Sequence, residues 1–185
     1  MPYPEAMVQP MREELTRLGV DELTTAEEVD DAFDAADDET MLLVINSVCG
    51  CAASNARPAV AMARQSGGVQ PERYVTVFAG QDLEATAQAR EKLPGVPPSS
   101  PFMALFKDGQ PVSVIERRDI EGRSAQAIAS DLTGAFEQHC AGGDGAAGNG
   151  AQPTETASTT EGDASGESAS EEHTDELPDT FRSIT

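Results

Sequence analysis

Met41-Leu42-Leu43-Val44-Ile45 is the segment that most restricts how this chain can fold. Along an extended strand, consecutive side chains point to opposite faces, so five apolar residues in a row escape water only when both faces are covered. The run is much too short to cross a bilayer, which takes about 20 residues. It therefore predicts a central strand in a sheet with helices packed on both sides.

The residues just after that strand carry the chemistry. Asn46-Ser47-Val48 lead into Cys49-Gly50-Cys51, and Ala52 to Arg64 then reads as an Ala-rich helix, kinked at Pro58 and ended by Gly67-Gly68. A strand-to-helix turn surrounds its residues with unpaired N–H groups and the positive end of a helix dipole. A thiolate is the anion such a turn stabilises, which lowers a thiol pKa from its usual value of about 8.5. Cys49, outside the helix, is the expected nucleophile and Cys51 the resolving thiol. Gly50 is expected to give the turn the freedom to bring the sulfurs together, and a bridge across one residue closes a small, readily exchanged ring. Asn46, Ser47, Asn55 and Arg57 are candidate donors to the thiolate. Arg57 is the expected electrostatic helper, although an arginine on a helix face is also commonly solvated or ion-paired.

Two other readings of the pair stand beside the redox one. Cys-x-Cys also occurs in metal sites, and free cysteines often serve as inert packing. A closed zinc site needs about four ligands, and the further candidates are His139, Cys140 and His173. No metal is expected. Cys140, at the end of the last helix, reads as a spare thiol, a dimer bridge or a target for thiol capping.

The remaining elements alternate. A helix is expected over Pro10 to Leu18 with Pro10 in its first turn, and a second begins at the capping box Thr25-Ala26-Glu27-Glu28 and ends near Asp37, burying Val29, Phe33 and Ala36. Tyr74 to Ala79 reads as a strand, Asp82 to Leu93 as a helix capped by Asp82, and Phe102 to Phe106 as a third strand. Lys107-Asp108-Gly109-Gln110 is a hairpin turn into Val112 to Ile115, and Ser124 to Cys140 closes the domain on Ile128, Leu132 and Phe136. The order ααβαβαββα predicts an α/β domain, a mixed central sheet with helices on both faces plus N-terminal helices, and resembles the thioredoxin-like pattern. Right-handed crossovers then place the cysteines at the carboxyl edge of the first central strand, where such sheets carry their sites.

Charge narrows the class of partner. The 185 residues hold 33 acidic and 12 basic side chains, a net charge of −21, with 23 acids and 11 bases in residues 1–140. Such a field repels nucleic acid and anionic membrane surfaces, so neither is an expected partner. Abundant carboxylates with only two lysines, Lys92 and Lys107, also suit a salt-rich, halophilic cytoplasm. The N-terminus shows no basic segment followed by an apolar run, so no secretory signal is expected and the location is expected to be cytoplasmic. Residues 142–185 are rich in Gly, Ala, Ser, Thr and acids without apolar period, and read as a disordered acidic tail on a domain spanning 1–141.

Taken together, Asn46-Ser47-Val48-Cys49-Gly50-Cys51-Ala52-Ala53, Ala56-Arg57-Pro58, Val77-Phe78-Ala79-Gly80-Gln81-Asp82 and Pro98-Ser99-Ser100-Pro101 closely resemble the bacilliredoxins. Leu23 to Val29, Ile120-Glu121-Gly122 and His139-Cys140 extend the likeness to about residues 5–140. The resemblance implies a thioredoxin-like fold whose Cys-Gly-Cys removes bacillithiol from mixed disulfides on cytoplasmic proteins, with Cys49 taking the adduct. It also implies weak disulfide isomerase activity, and a cis-proline at Pro101 beside the cysteines, where the backbone of Ser100 can pair with a substrate chain. No cofactor is implied beyond bacillithiol as thiol co-substrate. The expected partners are bacillithiolated or disulfide-containing cytoplasmic proteins and a low-molecular-weight thiol, met by a monomer or weak dimer. The chain departs from the family pattern at Ser54, Arg118 and the acidic tail. A broader disulfide isomerase or reductase, and a non-enzymatic metal-binding or scaffold module, are the competing functions.

Overall fold

In the computed structural model, which describes residues 2–141, the chain runs α1 (Glu5–Thr16), β1 (Asp21–Glu22), α2 (Ala26–Ala35), β2 (Thr40–Asn46), a π-helical turn (Ala52–Ala56) and α3 (Arg57–Gln65). It continues through β3 (Arg73–Phe78), α4 (Leu83–Glu91), β4 (Phe102–Lys107), β5 (Gln110–Ile115), α5 (Arg117–Ile120) and α6 (Ala125–His139). The acidic tail expected over 142–185 lies outside the described residues. The five strands form one sheet in the order β1-β3-β2-β4-β5. β1 and β2 run parallel to β3, β4 runs antiparallel to β2, and β5 antiparallel to β4.

Every residue of β2 is buried, as a strand covered on both faces must be. Its side chains divide by parity. Leu42 and Val44 join Tyr74, Met103 and Leu105 in a core completed by Leu15 of α1, Val60 of α3 and Ile128, Leu132 and Phe136 of α6. Met41, Leu43 and Ile45 join Val75, Val77, Phe102 and Phe106 in a second core under Val29 and Phe33 of α2 and Ala85 and Ala89 of α4. Phe33 meets Phe106 edge-on, with ring centroids 4.9 Å apart. A one-residue slip of β2 would exchange the two sets, so packing on both sides fixes the register.

Local signals account for several boundaries. The Thr25 hydroxyl accepts from Glu28 N at 3.2 Å while the Glu28 carboxylate accepts from Thr25 N at 3.1 Å, which closes the predicted capping box. Asp108 and Gly109 both adopt positive φ, 50° and 69°, the conformation that a two-residue hairpin requires.

Other expectations need correction. α1 begins at Glu5, so Pro10 lies inside the helix rather than in its first turn. The buried stripe Val8, Arg12 and Leu15 starts ahead of the proline, and packing along it carries the helix through one missing N–H. Asp82 stands at the N-cap of α4 but makes no capping bond. Its carboxylate instead takes Arg12 Nη1 and Nη2 at 2.8 and 2.9 Å, and Glu22 takes Nη1 at 2.6 Å. This buried guanidinium also lies over the Phe78 ring and so joins α1 to the β1–β3 edge. β1 and α5 carry no sequence signal of their own: two residues show no alternation, and four show no helical period. The bend expected at Pro58 takes the form of the π-helical turn just before it. Arg57 N–H reaches back five residues to Ala52 O, and the wider turn makes room for the proline ring.

Candidate active site

The cysteines sit where β2 gives way to the π-helical turn, at the carboxyl end of the central strand as right-handed crossovers require. Cys49 and Cys51 are both half-buried and unbridged, with their sulfurs 2.7 Å apart. Three donors converge on Cys49 Sγ: Cys51 Sγ, the Ser47 hydroxyl at 3.3 Å and the Ala52 N–H at 3.4 Å. Burial pushes the Cys49 thiol up, but these hydrogen bonds and the charge of Arg117 outweigh it, and the net shift is below the ordinary thiol value. Cys51 moves the other way. Burial raises it, and the neighbouring Cys49 raises it further by hydrogen bond and charge, against a smaller opposing pull from Arg117. The two shifts run in opposite directions and favour the thiolate at Cys49 over Cys51.

Asn46 and Ser47 are held by Arg57. Its guanidinium is only 3% exposed and donates from Nη1 to Asn46 Oδ1 at 3.2 Å and to Ser47 O at 3.1 Å, while Nε pairs with Glu14 of α1 at 2.7 Å. Asn46 Oδ1 also accepts from Ser47 N at 2.8 Å, and its amide donates to Met11 O at 3.4 Å. Arg57 thus grips the backbone that presents Cys49 rather than the sulfur, which corrects its expected role as an electrostatic helper. Asn55 is likewise redirected: its amide donates to Ile120 O at 3.2 Å and ties the π-helical turn to the end of α5. Gly50 is exposed, lacks positive φ, and a Cβ there would meet nothing within 4 Å. The turn therefore does not need a glycine for its backbone, contrary to expectation.

The cation that reaches the thiols is Arg117, at the start of α5. Its Nε pairs with Glu121 at 2.7 Å and its Nη1 donates to Ser100 O at 3.4 Å. The Ser100–Pro101 peptide bond is cis, the geometry the resemblance implies. Cys49, Ser47, Ser100 and Arg117 face one groove of about 290 Å³, together with Tyr3, Gly80 and Arg90. Sequence reasoning missed Arg117, Arg90 and Tyr3, because nothing local links them to a dithiol dozens of residues away.

Cys140 and His139 lie elsewhere. They share a hollow with Thr40, Glu72 and Lys107 at the opposite end of β2, a strand of seven residues and about 20 Å long. Neither can meet Cys49 or Cys51 on one metal ion. Among the described residues no group of three or more His, Cys, Asp or Glu is placed to hold one. Burial pushes the Cys140 thiol up.

A helix-covered mixed sheet of this strand order, with a dithiol at the end of β2 and a cis-proline leading into β4, defines a thioredoxin-like thiol–disulfide oxidoreductase. Comparison with known proteins gives the family. The model of the family described as "Disulphide isomerase" matches residues 3–140. A bacilliredoxin of Salinibacter ruber is 60% identical over 185 residues, covering 100% of both chains. Bacilliredoxins of Koribacter versatilis and Bacillus licheniformis are each 51% identical over 138 residues, covering 75% of this chain and 94% and 95% of theirs. The chain belongs to the bacilliredoxin family. The thioredoxin of Fasciola hepatica superposes with a TM-score of 0.44 at 13% identity, over 63% of this chain and 99% of that one. A value that low carries no weight, and the fold rests on the strand order and its coverage by helices.

Proposed function

We propose that this protein removes bacillithiol from mixed disulfides on cytoplasmic proteins, with Cys49 as the attacking thiol and Cys51 as the resolving one. The opposite displacement of the two thiols across 2.7 Å carries this assignment. The Cys49 thiolate attacks the bacillithiol sulfur, the Cys49–bacillithiol bond forms, and the protein thiolate leaves. Capping removes the charge on Cys49, and with it the contributions that, after burial, hold Cys51 protonated. Arg117 remains to favour the Cys51 thiolate, which attacks Cys49 Sγ, releases bacillithiol and closes the Cys49–Cys51 disulfide. A free bacillithiol molecule can instead attack the adduct and leave as the symmetric disulfide. The name bacilliredoxin carried by the relatives supports the choice of thiol.

The test is transfer followed by intact mass. Reduced Cys51→Ala protein incubated with a bacillithiolated substrate is expected to gain one bacillithiol on Cys49 and to release it slowly. Cys49→Ala is expected to gain none, and full activity in that variant would overturn the assignment.

The "Disulphide isomerase" description of the matching family favours a second reading, broader exchange on protein disulfides by the same two sulfurs. Rearrangement of a scrambled disulfide protein at a rate comparable with adduct removal would support that reading over the first.

A further inference from the structure

The groove beside Cys49 is unusual for this molecule. The chain carries 33 acidic residues, yet no Asp or Glu lines the groove, and two arginines do. Arg117 is held through Nε by Glu121 and donates from Nη1 to Ser100 O.

Arg90 is the more telling residue. It projects from the last turn of α4, its Nε is buried, and that nitrogen has no hydrogen-bond partner. None of the ion pairs among the described residues includes it. Among the described arginines only Arg64 shares this lack of a carboxylate, and it has other partners, donating to Leu18 O and lying over the Tyr74 ring. Arg90 also borders a small apolar hollow with Ile45, Leu93 and Phe102. A partly buried guanidinium without an acceptor is unfavourable until an anion arrives, and a carboxylate is the acceptor its planar fork fits best.

We propose that Arg90 and Arg117 form an anion subsite that holds carboxylate groups on the small thiol attached to the disulfide under attack. The subsite rests on the exchange chemistry proposed above and adds its selectivity: small thiols bearing carboxylates are preferred over neutral ones. A groove of about 290 Å³ matches the lower end of small-molecule sites and suits a compact thiol substituent. The molecule as a whole, at −21, repels such a ligand, so the preference must arise from these two side chains at short range. In each exchange the Cys49 thiolate forms one S–S bond, the original S–S bond breaks, and the displaced half leaves as a thiolate.

Full-length reduced protein is mixed at fixed ionic strength with the symmetric disulfide of mercaptosuccinate, then with that of mercaptoethanol, and loss of the reduced form, through the Cys49 adduct to the Cys49–Cys51 disulfide, is timed by mass. The readout is the ratio of the two rates, each corrected for the intrinsic reactivity of that disulfide toward a free thiol. The ratio is expected to favour mercaptosuccinate about tenfold in the wild type, to fall to near one in Arg90→Gln, and to be largely restored in Arg90→Lys. The same ratio in Arg90→Gln and wild type would overturn the subsite. A chain that reacts with neither disulfide would overturn the exchange chemistry itself. A measurement on the wild type alone needs no variant to fold: succinate is expected to slow alkylation of Cys49 by iodoacetamide, and succinamide is not. Equal protection by both, or by neither, would also overturn the subsite.

Discussion

A single sulfur atom, Cys49 Sγ, gathers three hydrogen bonds from residues within three positions of it, and this locality is why the sequence alone could single it out as the candidate nucleophile. The charge acting on it was not legible. Arg117 comes from the far side of the β4–β5 hairpin and looks, in sequence, like any arginine beside an acid. Its contribution can be measured. Cys49 reacts as thiolate, so its alkylation rate climbs as pH rises through its depressed pKa. Removing a nearby positive charge raises that pKa. Arg117→Gln is expected to move the whole rate–pH curve to the alkaline side and to slow alkylation about two- to fivefold at neutral pH, with the same plateau at high pH. An unmoved curve would show that Arg117 does not act on the thiolate.

At the scale of elements, the periodic segments were readable because each buries one stripe or one alternating face. Ile128, Leu132 and Phe136 fall at helical spacing, and the capping box at Thr25 marks its own helix. What could not be read is the ionic clasping between elements. Arg12 draws Asp82 away from the helix it would have capped, and Arg57 links α1, α3 and the end of β2 through Glu14, Asn46 and Ser47. Neither pairing has a local signature, since the partners are separated by 70 and 43 residues. Arg57→Met is expected to destabilise the domain by about 2 kcal/mol, the scale of losing hydrogen bonds to a buried charge, while the half-exposed Glu14 left behind stays hydrated. Urea unfolding followed by circular dichroism measures the cost. Because the same guanidinium holds Ser47 O, this variant should also blunt the acidity of Cys49, which separates it from an ordinary core defect.

For the molecule as a whole, the family model matches through residue 140, and the last 44 residues lie outside the described ones. They contribute ten acidic side chains and one arginine, and deleting them changes the net charge from −21 to −12. A protein ending at residue 141 is expected to keep the unfolding midpoint of the full chain. It should react faster than the full chain with an anionic disulfide at low salt, and the two rates should converge as salt screens the field. A midpoint lowered by several degrees would show that the tail does carry part of the stability. The arrangement of the sheet has a practical corollary as well. The reactive pair and Cys140 stand at opposite ends of β2, one thiol shifted down and the other shifted up, in the same chain and the same tube. Every labelling experiment on this protein therefore contains its own clock: the proportion of reagent on Cys49 relative to Cys140, read from a single peptide spectrum, cancels errors in dose and time.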